Sequence, residues 1–173
     1  VALAYALLSL GYCFGIKRVV ILDVMVLASG YTLRAAAGAE AIGVSISNWL
    51  LICTSLLALF LGFCKRRQEL THLEGKGVAH REVLARYSEQ FLDQMIAVVT
   101  ASTVISYLLY AFSEEVAAKL HTKRLALTAP FVLYGIFRYF YLVHMRGEGG
   151  HPTREFLGDM PLLLNFMLYG ATV

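Results

Sequence analysis

Long apolar stretches alternate with short polar segments along the chain. The apolar stretches fall at 1–16, 19–38, 48–64, 94–113, 125–143 and 161–173. A helix that crosses a bilayer needs about 20 mostly apolar residues. The interior stretches therefore predict membrane-spanning helices, and the first and last predict parts of such helices. The pattern as a whole predicts an all-α, multi-span transmembrane helical bundle, with residues 1–173 forming a single membrane domain.

The composition supports the same class. Hydrophobic residues make up 58% of the 173-residue chain and charged residues 16%, whereas soluble domains are nearer 45–50% apolar and about 25% charged. The net charge of +3 is modest, and the basic residues lie between apolar stretches rather than on one soluble face. A lipid bilayer is therefore the predicted environment, and nucleic acid is not a predicted partner.

Cysteine and histidine spacing gives no sign of a disulfide framework or a zinc site. Cys13, Cys53 and Cys64 lie in or at the ends of apolar runs and form no CxxC pair. His72 and His80 have no partner at metal-ligand spacing. The chain opens and closes within apolar runs and lacks an initiator Met. We expect a piece of a larger bundle whose N-terminal helices are missing.

Basic residues are distributed unequally between the two sets of connections. One set carries ten of them and the other carries three. Because loops on the cytoplasmic side of a membrane are enriched in Lys and Arg, the richer set is predicted to be cytoplasmic. It comprises Lys17, Arg18, Lys65, Arg66, Arg67, Lys76, Arg81, Arg86, Arg146 and Arg154.

Three charged residues fall inside apolar stretches, where a charge costs about 2.5–3.5 kcal/mol on insertion scales. Asp23 lies close to Lys17 and Arg18, so it either pairs with them at a helix entrance or belongs to a functional site. Arg34 and Arg138 are interpreted as side chains that reach towards an interface, the second within an aromatic belt.

The segment "KRRQELTHLEGKGVAHREVLARYS", residues 65–88, mixes basic, acidic and histidine side chains. In a helix, Arg66 would pair with Glu69 at i, i+3, and Lys65 with Glu69 at i, i+4. Gly75 and Gly77 would end this helix, and a second helical stretch would begin near position 78. The segment is either a solvated cytoplasmic loop or the cap of a cavity that binds phosphate and hydroxyl groups.

Several stretches, taken together, resemble one family. They are "YCFGIKRVVILDVMVLASGYTLRAAAGA", "SISNWLL", "LFLGFCKRRQEL", "HREVLARYS" and "PTREFLGDMPLLL". They resemble the decaprenyl-phosphate phosphoribosyltransferases, a branch of the UbiA-type membrane prenyltransferase superfamily. The resemblance implies transfer of a 5-phosphoribosyl group from phosphoribosyl pyrophosphate to a polyprenyl (decaprenyl) phosphate. It also implies Mg²⁺, a bacterial plasma membrane, a cavity open to the cytoplasm, and a product that feeds arabinose donors for cell-wall glycans.

The resemblance also suggests site residues. Lys65, Arg66 and Glu69 stand where most of the superfamily has a second aspartate motif. The resemblance suggests that Lys65 and Arg66 contact the donor phosphates directly and that Glu69 orients them or a ribose hydroxyl. The predicted substrate-binding set is Tyr12, Lys17, Arg18, Asp23, Lys65, Arg66 and Glu69. Asp159 is a group supporting the site or a helix cap. The first aspartate motif, which holds Mg²⁺ in the family, is expected upstream of Val1, so this piece alone should be inactive.

Two alternatives stay open. One is a UbiA-type prenyltransferase that joins a prenyl diphosphate to an aromatic or lipid acceptor, although residues 65–88 contain no DxxxD motif. The other is a non-catalytic membrane scaffold or a transporter fragment. Paired charges inside the membrane would favour a transporter, but the available residues, Asp23, Arg34, Asp93 and Arg138, are mostly predicted near interfaces. The sequence indicates no oligomeric state.

Overall fold

The computed structural model describes residues 2–44, 47–74, 84–120, 124–145 and 157–172. Within these ranges the secondary structure is helical, without a strand. The α-helices are α1 Ala2–Phe14, α2 Leu22–Ala41, α3 Asn48–Glu74, α4 Glu89–Ala111, α5 Glu114–Leu120, α6 Ala129–Met145 and α7 Met160–Thr172. Short 3₁₀ turns at Ile16–Arg18, Leu84–Arg86 and Arg124–Thr128 precede α2, α4 and α6.

Three helical segments are long and apolar enough to cross a membrane, namely Asn48–Thr71, Glu89–Ala111 and Arg124–Met145. Shorter apolar helices cover Ala4–Phe14 and Met160–Thr172. The predicted all-α, multi-span bundle is thereby confirmed. The stretch 19–38, predicted as a span, is not among these segments, since α2 carries charged residues along an otherwise apolar helix.

Several helix boundaries differ from those predicted. Helix α3 continues ten residues beyond the apolar stretch that ends at Cys64, to Glu74, so the helix considered for the start of residues 65–88 is part of the same helix. The segment "KRRQEL" consists of good helix formers and includes an i, i+3 ion pair. Helix α4 begins at Glu89 rather than Gln94, and the Ser88 hydroxyl caps it by accepting a bond from the Phe91 N–H at 3.2 Å. The connection at 114–124, between the apolar stretches 94–113 and 125–143, contains the short helix α5.

Helix α3 is the centre of the bundle, since it packs on α4 along one side and on α2 along another. Helix α6 contacts α4 and α7, and α1 contacts α2. The shared core includes Phe60 of α3 and Tyr139 of α6, whose rings meet edge to face at 5.6 Å. Leu92 and Ile96 of α4 are fully buried in the same cluster.

A glycine permits the close approach of α2 to α3. A Cβ atom at Gly62 would lie 2.7 Å from Val24 Cγ1, and Val24 is fully buried. That distance is too short for carbon atoms in contact, so a larger residue at position 62 would force the two helices apart. Gly62 therefore sets the spacing at which charged side chains of the two helices can meet.

We expect Gly62→Ala to destabilise the protein by about 1–3 kcal/mol, the usual cost of overpacking. Thermal unfolding in detergent would measure the effect. Gly38→Ala is the matched control, since a Cβ atom there meets nothing within 4 Å. Adding Val24→Ala to Gly62→Ala should recover part of the loss, because the two atoms clash directly. Equal stability of the Gly62 and Gly38 variants would contradict this account of the packing.

Candidate functional site: a buried cluster of charges

The first feature of the site is a buried ion pair between α2 and α3. Asp23 is fully buried and Arg66 is 2% exposed. The Arg66 Nε donates to Asp23 Oδ2 at 2.7 Å, and its NH1 group donates to Glu69 Oε2 at 2.6 Å. One guanidinium thus holds two carboxylates, one from the start of α2 and one from its own helix. The predicted i, i+3 pairing of Arg66 with Glu69 is confirmed.

Tyr87 completes the cluster from the opposite side. Its hydroxyl donates to Asp23 Oδ1 at 2.7 Å and accepts the Ile21 N–H at 2.6 Å. Both oxygens of Asp23 are therefore engaged by protein donors. Burial raises the pKa of Tyr87, the bond from Ile21 opposes this, and the Asp23 carboxylate raises the pKa further. The phenol consequently stays protonated, and remains a hydrogen-bond donor, at neutral pH.

The contacts of Asp23 exclude one of the two alternatives considered for it, the local ion pair with Lys17 and Arg18. The local pairing with Lys17 or Arg18 is replaced by bonds to Arg66 and Tyr87, which come from two other elements. The physical reason is the turn at Ile21, which separates Ile16–Arg18 from α2. It directs the Asp23 carboxylate into the bundle.

The remaining predicted site residues lie on the exposed part of the same region. Lys17 and Arg18 form the 3₁₀ turn before α2, and Lys65 precedes Arg66 on α3; all three are exposed. Tyr12 is half-buried near the end of α1. The hydrogen bonds described for the cluster do not include Tyr12, Lys17 or Lys65. The structure therefore joins Asp23, Arg66 and Glu69 directly.

A second charged cluster ties α3, α4 and α6 together. The Arg67 Nε donates to Asp93 Oδ1 at 2.8 Å. His144 places its Nε2 at 3.2 Å from the same oxygen. Thr71 and Glu89 extend the cluster, with the Thr71 hydroxyl donating to Glu89 Oε1 at 3.2 Å. The pattern that could have indicated it is the position of these residues at the same end of three successive spans.

A third charged pair joins α6 to α7. Arg138 donates to both oxygens of Asp159, at 3.1 Å from Nε and 2.8 Å from NH2. Asp159 Oδ1 also accepts the Leu162 N–H at 3.0 Å, so its predicted role as a helix cap is confirmed. The guanidinium carbon of Arg138 also lies 5.3 Å from the centroid of the Tyr141 ring, and the reach of Arg138 towards the interface stays a prediction.

Arg34 has aromatic partners near α1. Its NH2 group donates to the Tyr5 hydroxyl, and its guanidinium carbon lies 5.1 Å from the Tyr5 ring centroid and 5.2 Å from that of Tyr31. All three residues belong to α1 and α2, and Arg34 is exposed. Its reach to the outer interface stays a prediction. The predicted second helical stretch with His80 lies outside the described residues.

The described residues do not form a Mg²⁺ site of their own. Mg²⁺ prefers carboxylate and water oxygens in a near-octahedral arrangement, but both Asp23 oxygens are held by Arg66 and Tyr87. Glu69 is held by the same arginine. Within the described part of the chain, no three Asp, Glu, His or Cys side chains lie together as a metal site would require.

These features define a multi-span helical membrane protein with a buried charged cluster where α2 and α3 meet. No family model matches the chain. It is 31% identical to a decaprenyl-phosphate phosphoribosyltransferase of Mycolicibacterium smegmatis over 98% of its own length and 55% of the relative. It is 32% identical to a Corynebacterium glutamicum protein of the same name, over 91% of the chain and 47% of that relative.

A Mycobacterium tuberculosis protein of the same name is 32% identical over 66% of the chain and 38% of that relative. An uncharacterised Sinorhizobium fredii protein is 30% identical over 75% of the chain. The chain thus spans about half the length of the decaprenyl-phosphate phosphoribosyltransferases that match it over most of its length. The resemblance to decaprenyl-phosphate phosphoribosyltransferases predicted from the sequence is confirmed.

The cluster predicts a large difference between its two carboxylates. Asp23→Asn should lower stability by about 3–5 kcal/mol, because it leaves the buried Arg66 charge without its full counter-charge. Glu69→Gln, at a side chain that is 30% exposed, should cost about 0–1 kcal/mol. Unfolding in detergent would measure both. Similar losses for the two variants would contradict the burial argument, and unchanged turnover per folded Asp23→Asn molecule would exclude a site role.

Proposed function

We propose that the full-length gene product transfers a 5-phosphoribosyl group from phosphoribosyl pyrophosphate to a polyprenyl phosphate. On this proposal it is a UbiA-type pentosyltransferase in a bacterial plasma membrane. The names of its relatives support transferase chemistry on a polyprenyl phosphate. A place before arabinose donors of cell-wall glycans follows from the same resemblance.

The pairing of the acidic residues is the observation that carries the proposal. A prenyltransferase acting on a prenyl diphosphate would need free carboxylates near the cytoplasmic end of α3 to hold a second Mg²⁺. Here Asp23 and Glu69 are both held by Arg66. The exposed charges beside them are basic, namely Lys17, Arg18 and Lys65. This arrangement suits a donor that carries several phosphate groups and is recognised through direct contacts with cations.

The burial of Arg66 gives it a different role in the site from that of the exposed basic residues. With Nε and NH1 committed to carboxylates, Arg66 fixes the position of α2 against α3. Lys65, one residue earlier and exposed, is free to turn its ammonium group towards a phosphate. We therefore assign phosphate contact to Lys65 with Lys17 and Arg18, and we assign the orientation of these groups to Arg66 and Glu69.

The reaction is a substitution at the anomeric carbon of the ribose. The bond from that carbon to the pyrophosphate oxygen breaks, and pyrophosphate leaves with the electron pair. A phosphate oxygen of the lipid supplies the pair for the new bond. The attacking group is already an anion, so no general base is required. Cations at Lys17, Arg18 and Lys65 would stabilise the charge that develops on the leaving group.

Mg²⁺ enters this proposal only through the resemblance. The described carboxylates do not offer it a site, so its ligands would come from sequence outside the described residues. When bound, it would neutralise charge on the departing pyrophosphate.

The second candidate function, a prenyltransferase, predicts a different donor. Purified full-length protein should transfer radiolabelled ribose 5-phosphate from phosphoribosyl pyrophosphate to decaprenyl phosphate. A prenyl diphosphate with an aromatic acceptor should give no product. Product from the prenyl diphosphate alone would overturn the proposal in favour of the prenyltransferase. Absence of both products from folded protein would favour the scaffold alternative.

Lys65→Ala in the full-length protein should lower kcat/KM for phosphoribosyl pyrophosphate by roughly 10- to 150-fold, the equivalent of one charge-assisted hydrogen bond. The KM for the lipid phosphate should change far less, since its tail binds in the membrane. Lys119→Ala is the matched control, because Lys119 lies in the connection at 114–124, which belongs to the set that carries only three basic residues. Unchanged donor kinetics in Lys65→Ala would show that this residue is only an orientation signal.

The proposal also requires one orientation of the chain in the membrane, with residues 65–88 on the cytoplasmic side. In a background without the native cysteines, Lys76→Cys should react with an impermeant thiol reagent in inside-out vesicles and stay unlabelled in intact cells. Ser113→Cys, beyond the other end of α4, should show the reverse pattern. The ten-to-three distribution of basic residues is the reason. Labelling of Lys76→Cys in intact cells would invert the topology.

A further inference from the structure

The turn that leads into α2 contains a strained residue. Ile21 has φ = 71° and is the only non-glycine residue with a positive φ in the described part of the chain. A β-branched side chain in this region is a genuine outlier, and such conformations persist only when the surroundings hold them. Ile21 lies between the basic turn Ile16–Arg18 and the buried carboxylate of Asp23.

One hydroxyl group holds both sides of this strained residue. Tyr87 accepts the N–H of Ile21 at 2.6 Å and donates to the Asp23 carboxylate at 2.7 Å. Tyr87 is 5% exposed and lies 66 positions further along the chain than Ile21, just before α4. Its ring also packs against Phe91, with the centroids 6.1 Å apart. The phenol is thus fixed by packing while its oxygen fixes the turn.

We propose that Tyr87 is a positioning residue for the donor site. By holding Ile21 at its positive φ of 71°, with ψ = −48°, it sets the direction in which the chain leaves Ile16–Arg18 and enters α2. That direction fixes Lys17 and Arg18 relative to Arg66 and Glu69. The inference rests on the proposed function, since it assigns the basic turn to the donor's phosphates.

The geometry distinguishes this role from general packing. If Tyr87 served only for packing, its ring would be sufficient, since the ring already contacts Phe91 and the core. The oxygen of Tyr87 adds two bonds, and both go to residues of a single turn. Without the hydroxyl, Ile21 would lose the partner of its N–H and could relax to a negative φ. The basic turn would then move while the core around the ring stayed in place.

Tyr87→Phe in the full-length protein tests this directly, because it removes only the oxygen. We expect kcat/KM for phosphoribosyl pyrophosphate to fall roughly 10- to 100-fold, mainly through a higher KM. The KM for the polyprenyl phosphate should stay within about threefold of the wild-type value. Tyr141→Phe is the matched control. It keeps the aromatic ring beneath Arg138 and lies outside the site.

A second substitution separates positioning from a loss of fold. Glycine adopts a positive φ without strain, so Ile21→Gly should leave the wild-type donor kinetics nearly unchanged. Combined with Tyr87→Phe, it should recover most of the lost donor kcat/KM, since the turn no longer needs the hydroxyl to hold it. If Tyr87→Phe alone fails to fold, the same double variant is compared with Ile21→Gly.

The outcomes are distinct. A donor-specific loss in Tyr87→Phe that Ile21→Gly reverses supports the proposal. Wild-type donor kinetics in Tyr87→Phe would overturn it, as would a double variant that recovers yield and thermal stability without recovering donor kinetics. If the folded wild-type protein shows no phosphoribosyl transfer, the proposed function is wrong, and the positioning role of Tyr87 that rests on it is wrong as well.

Discussion

The buried charge of Arg66 is the constraint on which this end of the bundle depends. A guanidinium enclosed among apolar helices is tolerated only when it is paired and hydrogen-bonded. Asp23 must therefore come within 2.7 Å of it, and this requires α2 to approach α3 closely. Gly62 makes that approach possible beside Val24. The close packing and the ion pair support each other, so neither is an independent feature of the fold.

The same principle is repeated through the bundle. Each buried or half-buried arginine of α3 and α6 finds a carboxylate on a different helix, and each pair therefore fixes a helix to its neighbour. The three pairs are Arg66 with Asp23, Arg67 with Asp93, and Arg138 with Asp159. Elsewhere the helices are joined through hydroxyl groups, as between Thr32 of α2 and Ser55 of α3 at 2.8 Å. The three arginine–carboxylate contacts are directional, so they select one relative placement of the helices.

The sequence predicted what depends on local pattern and missed what depends on packing. Hydrophobic runs revealed the helical bundle, and i, i+3 spacing revealed the bond from Arg66 to Glu69. The partners of Asp23 were not predictable, because Arg66 and Tyr87 lie 43 and 64 positions away and neither spacing has a periodicity. Helix α3 extends beyond its apolar stretch to Glu74, because charges that pair within a helix do not end it.

The burial of Arg66 changes how the basic residues of this region contribute to the proposed chemistry. Residue type alone would make the neighbours Lys65 and Arg66 equivalent phosphate ligands, whereas the structure exposes Lys65 and buries Arg66. An arginine already bound to two carboxylates has little binding capacity left for a substrate, but it gives the neighbouring exposed cations a fixed frame. Preorganisation of this kind removes part of the entropic cost of binding a flexible, highly charged donor. Selectivity for such a donor would then depend on how rigidly the frame is held.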